Sequence, residues 1–442
     1  MKADRRLLAL LLGLLLAVSF SSCSPPDVSY GTEQEKNGAE HPPAVDEATP
    51  IVDPYALAGS GTEEDPWQLS TPEHLVWING APERLRGHFL LMNDITAPDN
   101  FMVAPTPGNL RFGDFFPGFN GDLDGNGYII TVNIYLPGHP FVGLFSAIDT
   151  NGSVSNLVVA GYVIGGGGDG DIRVSDHVGG LAGMNRGRVV NVHSAVNVSG
   201  DSSVGGLAGR NTGNIQNSQA SGEVVGASLH HSNIGGLVGF NNSVIESSYA
   251  TGNVSVEAFD RGTSIGGLIG SNQGRVQNSY ATGDVAGSRG ATGGLVGNNV
   301  NGTVKNSYAT GNIGGDSGVG GLAELSDTIL SSIALNASIT GRTSSAGRIW
   351  AGDGGPPVLN AGNNNHASSA ILLNGQPFDG TGEHDNQHGQ TVSPEEVATE
   401  IFWRDTMGWD LDEIWEWDEA LGLPILRNAP DVQNPVAPIR DD

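Results

Sequence analysis

GGLIGSNQGRVQNSYATGDV (residues 266–285) and GGLVGNNVNGTVKNSYATGNI (293–313) are near-copies of one another. They belong to a longer series. Gly-Gly-Leu occurs at 179–181, 205–207, 235–237, 266–268, 293–295 and 320–322, with spacings of 26, 30, 31, 27 and 27 residues. A period of this length marks a solenoid or array, in which each unit buries its apolar face only by stacking on the next. Alignment of the copies gives apolar columns. The residue after each Leu is Ala182, Ala208, Val238, Ile269, Val296 and Ala323. A second column holds Val189, Ile215, Ile245, Val276 and Val304, and a third Val198, Val224, Val254, Val285 and Ile313. Three short apolar stretches per repeat, each bounded by Gly or Asn, predict an all-β chain in which a three-sided coil contributes three short strands. Coils stacked at strand spacing, about 4.8 Å, from Gly143 to Gly347 give eight turns and a length on the order of 40 Å.

Each column has a physical role. The Leu column supplies a core spine, each buried Leu stabilising by about 1.5–3 kcal/mol. The paired glycines permit either a positive φ at a corner or close backbone approach between coils. Asn191, Asn217, Asn278 and Asn306 form a column suited to a ladder of side-chain amides. Tyr249, Tyr280 and Tyr308 form another, with His193, Gln219 and Ile333 at its ends. Stacked aromatics of this kind are structural in the first instance. As an exposed stripe, the same three tyrosines are the candidate ligand-binding residues, since flat rings suit sugar faces.

These columns resemble the GLUG motif, named for a Gly-Leu-(small)-Gly core, present here at 180–183, 206–209, 236–239, 267–270 and 294–297. Asn-Ser-Tyr-Ala-Thr-Gly at 278–283 and 306–311 also matches, whereas the copy at 321 departs with Glu324 in place of the second Gly. The turn Phe116–Gly127 looks like the segment that precedes such repeats, and Trp409–Leu426 like the one that closes them. The resemblance covers most of residues 57–427 and implies a right-handed parallel β-helix with N- and C-terminal caps. The motif occurs in bacterial surface adhesins and beside catalytic domains of IgA-specific metallopeptidases, so it is specific for fold and weak for function.

The flanks organise the rest. MKADRRLLALLLGLLLAVSFSSCS opens with Lys2, Arg5 and Arg6 before an apolar run from Leu7 to Val18, which reads as a secretory signal peptide over residues 1–22 and is too short to span a bilayer. Phe20-Ser21-Ser22-Cys23 resembles a bacterial lipobox, with Phe20 where an aliphatic residue is usual. The resemblance implies cleavage before Cys23, lipid on its thiol and, with Ser24 following, an outer-membrane address. Cys23 is the one cysteine of the chain, so no disulfide is available. Residues 23–55, rich in Pro and acidic side chains, read as a disordered tether. Residues 56–160 form the N-terminal cap region, with short strands and one helix candidate, Thr71–Ile78, capped by Thr71 and opened by Pro72. The repeats occupy 161–345, a last coil and cap 346–428, and a polar tail 429–442.

The chain carries 48 acidic and 20 basic side chains, a net charge of −28, which disfavours nucleic acid and anionic lipid as partners. Membrane association is therefore expected through the lipid alone. Chemistry is sparse. His-Glu-x-x-His, the zinc site of a metallopeptidase, is absent; the nearest pair, His384 and His388, lies in a Gly- and Asn-rich stretch unsuited to a helix. Gly315-Asp316-Ser317-Gly318 matches a serine-peptidase tetrapeptide but has no partner His. Asn120–Gly125 begins like an EF-hand loop, yet its twelfth position is Thr131. Asp169, Asp171 and Asp176 form a weak candidate for structural calcium; no other cofactor is expected. The expectation is a non-enzymatic adhesin or ligand-binding solenoid for an extracellular glycan or protein, with the variable insertions 225–233, 256–264 and 286–291 as contact points. The alternative is a carbohydrate-active enzyme, glycoside hydrolase or polysaccharide lyase, on the same scaffold.

Overall fold

Leu181, Leu207, Leu237, Leu268, Leu295 and Leu322 stack in a single buried column. Each donates its amide to the carbonyl of the Leu one coil later, at 2.8–3.0 Å, the last of them to Ile349. In the computed structural model the chain is thus a parallel β-solenoid with little helix. The structure describes residues 56–105, 116–166, 176–227, 232–257, 262–287, 289–342, 346–351 and 363–429. The chain divides into Met1–Val52, which lies outside those residues, and Asp53–Asp442, which holds all of them. The signal peptide, Cys23, the tether, Asp169 and Asp171 lie outside the described residues.

The three apolar columns are in register as the sequence pattern requires. Ala182 pairs with Ala208, Val238, Ile269, Val296 and Ala323 in turn. The Val189 and Val198 columns run likewise. One wall is an 8-stranded parallel sheet, from Phe141–Val142 to Ala346–Gly347, which matches the eight expected coils. The sides are more finely divided than three strands per coil. A central coil has Asn233–Gly235, Val238–Asn241, Val244–Glu246, Tyr249–Ala250 and Val254–Val256. The division has a cause: Ser247 takes φ 48° and breaks one expected side in two.

That left-handed position corrects the expected asparagine ladder. Asn191, Asn217, Asn278 and Asn306 stand in register with Ser247, at φ 55°, 48°, 51° and 48°, and their first duty is the corner. Asn tolerates this conformation because its short polar side chain bonds locally. Amide links survive only in part, Asn191 to Asn156 at 2.7 Å and Asn306 to Asn278 at 3.2 Å. The continuous ladder is elsewhere. Asn185, Asn211, Asn241, Asn272 and Asn299 are fully buried, and each Nδ2 donates to the next Oδ1 at 2.7–2.8 Å. Asn299 ends the chain on Ser326 Oγ at 2.9 Å. A second polar column, Ser218, Ser248, Ser279, Ser307 and Ser332, returns each hydroxyl to the carbonyl two residues earlier at 2.8 Å. Each of these hydroxyls also accepts an amide N–H from the preceding coil.

The glycine pairs answer to close approach and not to positive φ. A Cβ on Gly236 would stand 2.1 Å from the Gly267 carbonyl oxygen, so successive coils touch backbone to backbone at this corner. At the N-terminal end, helix Pro72–Ile78 is capped by Thr71 as expected and buries Leu75 and Ile78.

The buried ladder makes a sharp expectation. Asn241→Ala removes the acceptor of the Asn211 amide and leaves that buried donor unpaired, at about 1–3 kcal/mol, while Asn272 Oδ1 keeps the Gly274 N–H. Asn278→Ser installs the residue already tolerated at 247 and costs only about 1 kcal/mol. Urea-unfolding midpoints of the two variants check the order.

Candidate functional site

Four of the five strand junctions in a coil are short and closed by ladders or turns. The fifth, between the third apolar column and the 8-stranded sheet, varies. It runs from Ile164 to His177, Gly200 to Ser203, Gly226 to Asn233, Val256 to Ser264, Ala286 to Ala291, Gly314 to Val319 and Thr340 to Ala346. Because Val198, Val224, Val254, Val285 and Ile313 are in register, the loops that follow them emerge along one edge of the stack. All three insertions singled out from sequence therefore fall on the same edge. Insertion is tolerated there because the core column ends just before it and the next wall begins just after.

Near its C-terminal end this edge forms an open groove of about 420 Å³ lined by Arg289, Asp316, Ser317 and Arg342. Ala286 pairs with Gly314 and Gly314 with Thr340, so loops from three successive coils supply these residues. Arg289, Asp316 and Arg342 are exposed. Two guanidiniums and one carboxylate line it, on a strongly acidic chain. Such a groove suits a polar, hydroxyl-rich or carboxylate-bearing group. Read along the chain, Gly315–Gly318 stands alone as a tetrapeptide; the register of Gly287, Gly315 and Gly341 is the sequence signal that brings their neighbours together.

The tyrosine stripe is placed differently from the expected exposed one. Tyr249, Tyr280 and Tyr308 stack at centroid distances of 4.7 and 4.8 Å, nearly parallel at interplanar angles of 10° and 2°, but all three are buried. The C-terminal segment folds back over them. Trp415 packs 6.4 Å from Tyr280 and 5.9 Å from Tyr308, Trp409 stacks on Trp415 at 4.6 Å, and Tyr308 Oη donates to the Pro424 carbonyl at 3.1 Å. With their faces covered, these rings offer no surface to a ligand in this arrangement. The column itself carried the signal. It is polar at His193 and Gln219, where no clasp lies, and aromatic from Tyr249 onward.

The other candidates resolve structurally. Asp122 and Asp124 lie on a strand, and Asp124 Oδ1 accepts from Asn126 N–H at 2.8 Å and Asn156 Nδ2 at 3.0 Å, so the EF-hand likeness is a strand and turn. His384 and His388 sit in turns, with His388 against Phe378 at 4.3 Å. Among the described residues, no group of three or more His, Cys, Asp and Glu side chains is placed to hold a metal ion. Of the calcium triad only Asp176 is described. It is buried, its Oδ1 has no hydrogen-bond partner, and burial together with the neighbouring Asp201 charge pushes its carboxyl up to about 7. His177 beside it goes the other way: burial first, then the Arg210 charge, lowers its imidazole to about 3.

Comparison with known proteins finds the GLUG motif at residues 200–225, 230–255, 261–286 and 288–314. Over 176 residues, 38% of this chain, it is 30% identical to Halomucin of Haloquadratum walsbyi. Over 136 residues, 30% of this chain, it is 35% identical to a protein of Evansella cellulosilytica provisionally described as a Gly-rich membrane protein. The chain spans 2% of the length of the first relative and 15% of the second. A solved structure from Bacteroides ovatus, provisionally assigned as an immunoglobulin A1 protease, is similar over 84% of this chain and 95% of its own, with 18% identity and a TM-score of 0.46.

The raised Asp176 carboxyl gives a pH test. A carboxyl whose folded value exceeds its ordinary one contributes stability below about pH 4, and that contribution is lost as pH rises through about 7. Asp176→Asn fixes the uncharged form, so it should unfold at higher temperature than the parent at pH 8 and at the same temperature at pH 4. Thermal melts at the two pH values check this.

Proposed function

We propose that this chain is a cell-surface binding solenoid, non-enzymatic, that engages an extracellular glycan or protein along its loop-bearing edge. The observation that carries the reading is that the three variable insertions of the repeat region, 225–233, 256–264 and 286–291, all follow the same apolar column and so share one edge, while other corners of the coils are locked by Asn and Ser ladders. A stack of coils offers many equivalent loops to a long or repetitive ligand, and weak contacts then add through avidity. The Arg289–Asp316–Arg342 groove is one such contact point. The description of one relative as a membrane protein supports display at a membrane. Among the described residues no helix is long and apolar enough to cross one. Lipid on Cys23 and an outer-membrane location complete the proposal.

One observation favours a second reading. A carboxyl held protonated near neutrality beside another carboxylate, as Asp176 stands beside Asp201, is the pairing that acid–base glycoside cleavage uses. A carbohydrate-active enzyme is therefore the competitor.

Binding of the full chain to immobilised glycans and extracellular-matrix proteins, with soluble products followed, separates the two. The binding reading expects saturable capture without product. Replacing 227–232 and 257–263 by the short Asp201-Ser202 connection should weaken capture at least tenfold while circular dichroism stays unchanged. Release of oligosaccharide, abolished by Asp176→Asn, overturns it in favour of the enzyme. The anchor is tested separately: labelled palmitate should enter the parent chain and not Cys23→Ser, which should leave the membrane fraction.

A further inference from the structure

Two tyrosines stand in solvent on the first coils, at positions where the fold does not need them. Strand Ile129–Tyr135 pairs with strand Ser153–Ile164, and that strand with Arg188–Gly200, all in parallel register. Ile130, Val132, Ile134 and Val163 turn inward and are buried. Tyr135 and Tyr162 turn outward and are 58% and 42% exposed. Among the described residues neither ring packs on another aromatic side chain, and neither hydroxyl makes a hydrogen bond.

The later coils show what these positions ordinarily do. Tyr162 is in register with Asn197, and its column continues through Glu223, Asn253, Asp284 and Asn312, each one residue before the third apolar column. There the short side chains tie one coil to the next. Asn197 Oδ1 accepts the Glu223 N–H at 3.0 Å, Asn253 Oδ1 that of Asp284 at 2.9 Å, and Asp284 Oδ1 that of Asn312 at 2.7 Å. The Tyr162 side chain makes no such tie. Tyr135 heads a column that continues as Ile164, Ser199, Val225 and Ser255. Neither column holds another aromatic residue over these coils.

The surroundings narrow the ligand. One strand over and two residues along, the two tyrosines stand roughly 8 Å apart at their Cα atoms. Asn133, Ala160, Ile164, Asn197 and Ser199 face outward around them and carry no charge. Acidic side chains bound this neutral patch. Exposed Asp99 lies in the coil before, where the Asn100 N–H donates to the Asn133 carbonyl at 2.9 Å, and exposed Glu223 lies in the coil after Asn197. An anionic ligand is repelled there, and the net charge of −28 adds to the repulsion. A stable protein partner needs about 800 Å² of contact with a continuous apolar centre, which two separate rings among amides and small side chains do not offer. A pyranose, apolar on its C–H face and polar at its rim, matches a ring platform edged by an amide.

We infer that the outward face at Tyr135 and Tyr162 binds a neutral glycan, with pyranose rings stacked on the two tyrosines and the Asn133 amide bonding the hydroxyl groups. The face adjoins the loop edge, since the connection from Ile164 to His177 leaves the same strand. The inference rests on reading the chain as a binding solenoid and fixes the class of its ligand; it does not depend on the loops.

The probes are cellohexaose, maltohexaose and mannohexaose, titrated calorimetrically into the full chain beside hexagalacturonate. The expected result is saturable binding of at least one neutral hexasaccharide, tighter than that of hexagalacturonate and at least tenfold weaker in Tyr135→Ser and in Tyr162→Asn. These substitutions install the residues that the same columns carry at 199 and 197, so the coils should keep their packing, and melting curves check it. If one of them does not fold, the other decides. Tyr162→Phe should bind as the parent does, because the ring face and not the hydroxyl makes the contact. Absence of binding by all three neutral sugars, affinity unchanged in the tyrosine variants, or equal binding of hexagalacturonate overturns the proposal. Failure of the broader reading looks different. If the parent captures an immobilised glycan or matrix protein and the loop-shortened chain does not, while the tyrosine variants capture it as well as the parent, the solenoid is a binder and this face is not its site.

Discussion

Five successive coils each bury a side-chain amide, and their stacking depends on each of those amides finding its partner in the coil that follows. The file from Asn185 to Asn299 is the clearest case: five carboxamides in apolar surroundings, each donating to the next. A buried amide without a partner is costly, and the same amide in an unbroken file costs little. The file therefore fixes the axial register of the coils more stringently than the leucines do, since a leucine slid by one position is still buried. It also dictates the glycines. Backbones must approach closely for the amides to meet, and a Cβ at Gly205 or Gly235 would collide with the next strand.

Much of this was legible from residues alone, and the reasons differ by column. Leu, Val and Ile columns are visible because core positions demand one residue class in every repeat, and they fall in the expected register. The asparagine file at Asn185, Asn211, Asn241, Asn272 and Asn299 is as regular as the leucines, but the neighbouring column, Asn191 to Asn306, is nearly as regular and suits the ladder role as well by residue type. Both columns repeat asparagine, one for a buried amide and one for a left-handed corner. Composition cannot tell those duties apart; only the serine at 247 hints that its column tolerates the loss of an amide, because serine also accepts a positive φ.

The functional surface was less legible still. Loop positions carry no periodic constraint, so sequence could say where insertions occur but not that they share an edge. The tyrosines show the opposite difficulty. Their column is plain from the repeat, but whether it faces solvent depends on residues more than a hundred positions after Tyr308, such as Trp415 and Pro424. A buried group without a hydrogen-bond partner, such as Asp176 Oδ1, is not legible from sequence, since absence of a partner is not a property of any residue type.

The clasp has a mechanical meaning. A repeat stack usually opens from its ends, one coil at a time, because each coil is held only by its neighbours. Here the segment from Pro394 to Leu426 lies across the coils of Tyr249, Tyr280, Tyr308 and Ile333 and binds all four at once. Peeling the last coil therefore means stripping an aromatic patch from several coils together. The C-terminal end is converted from a place where fraying starts into a latch.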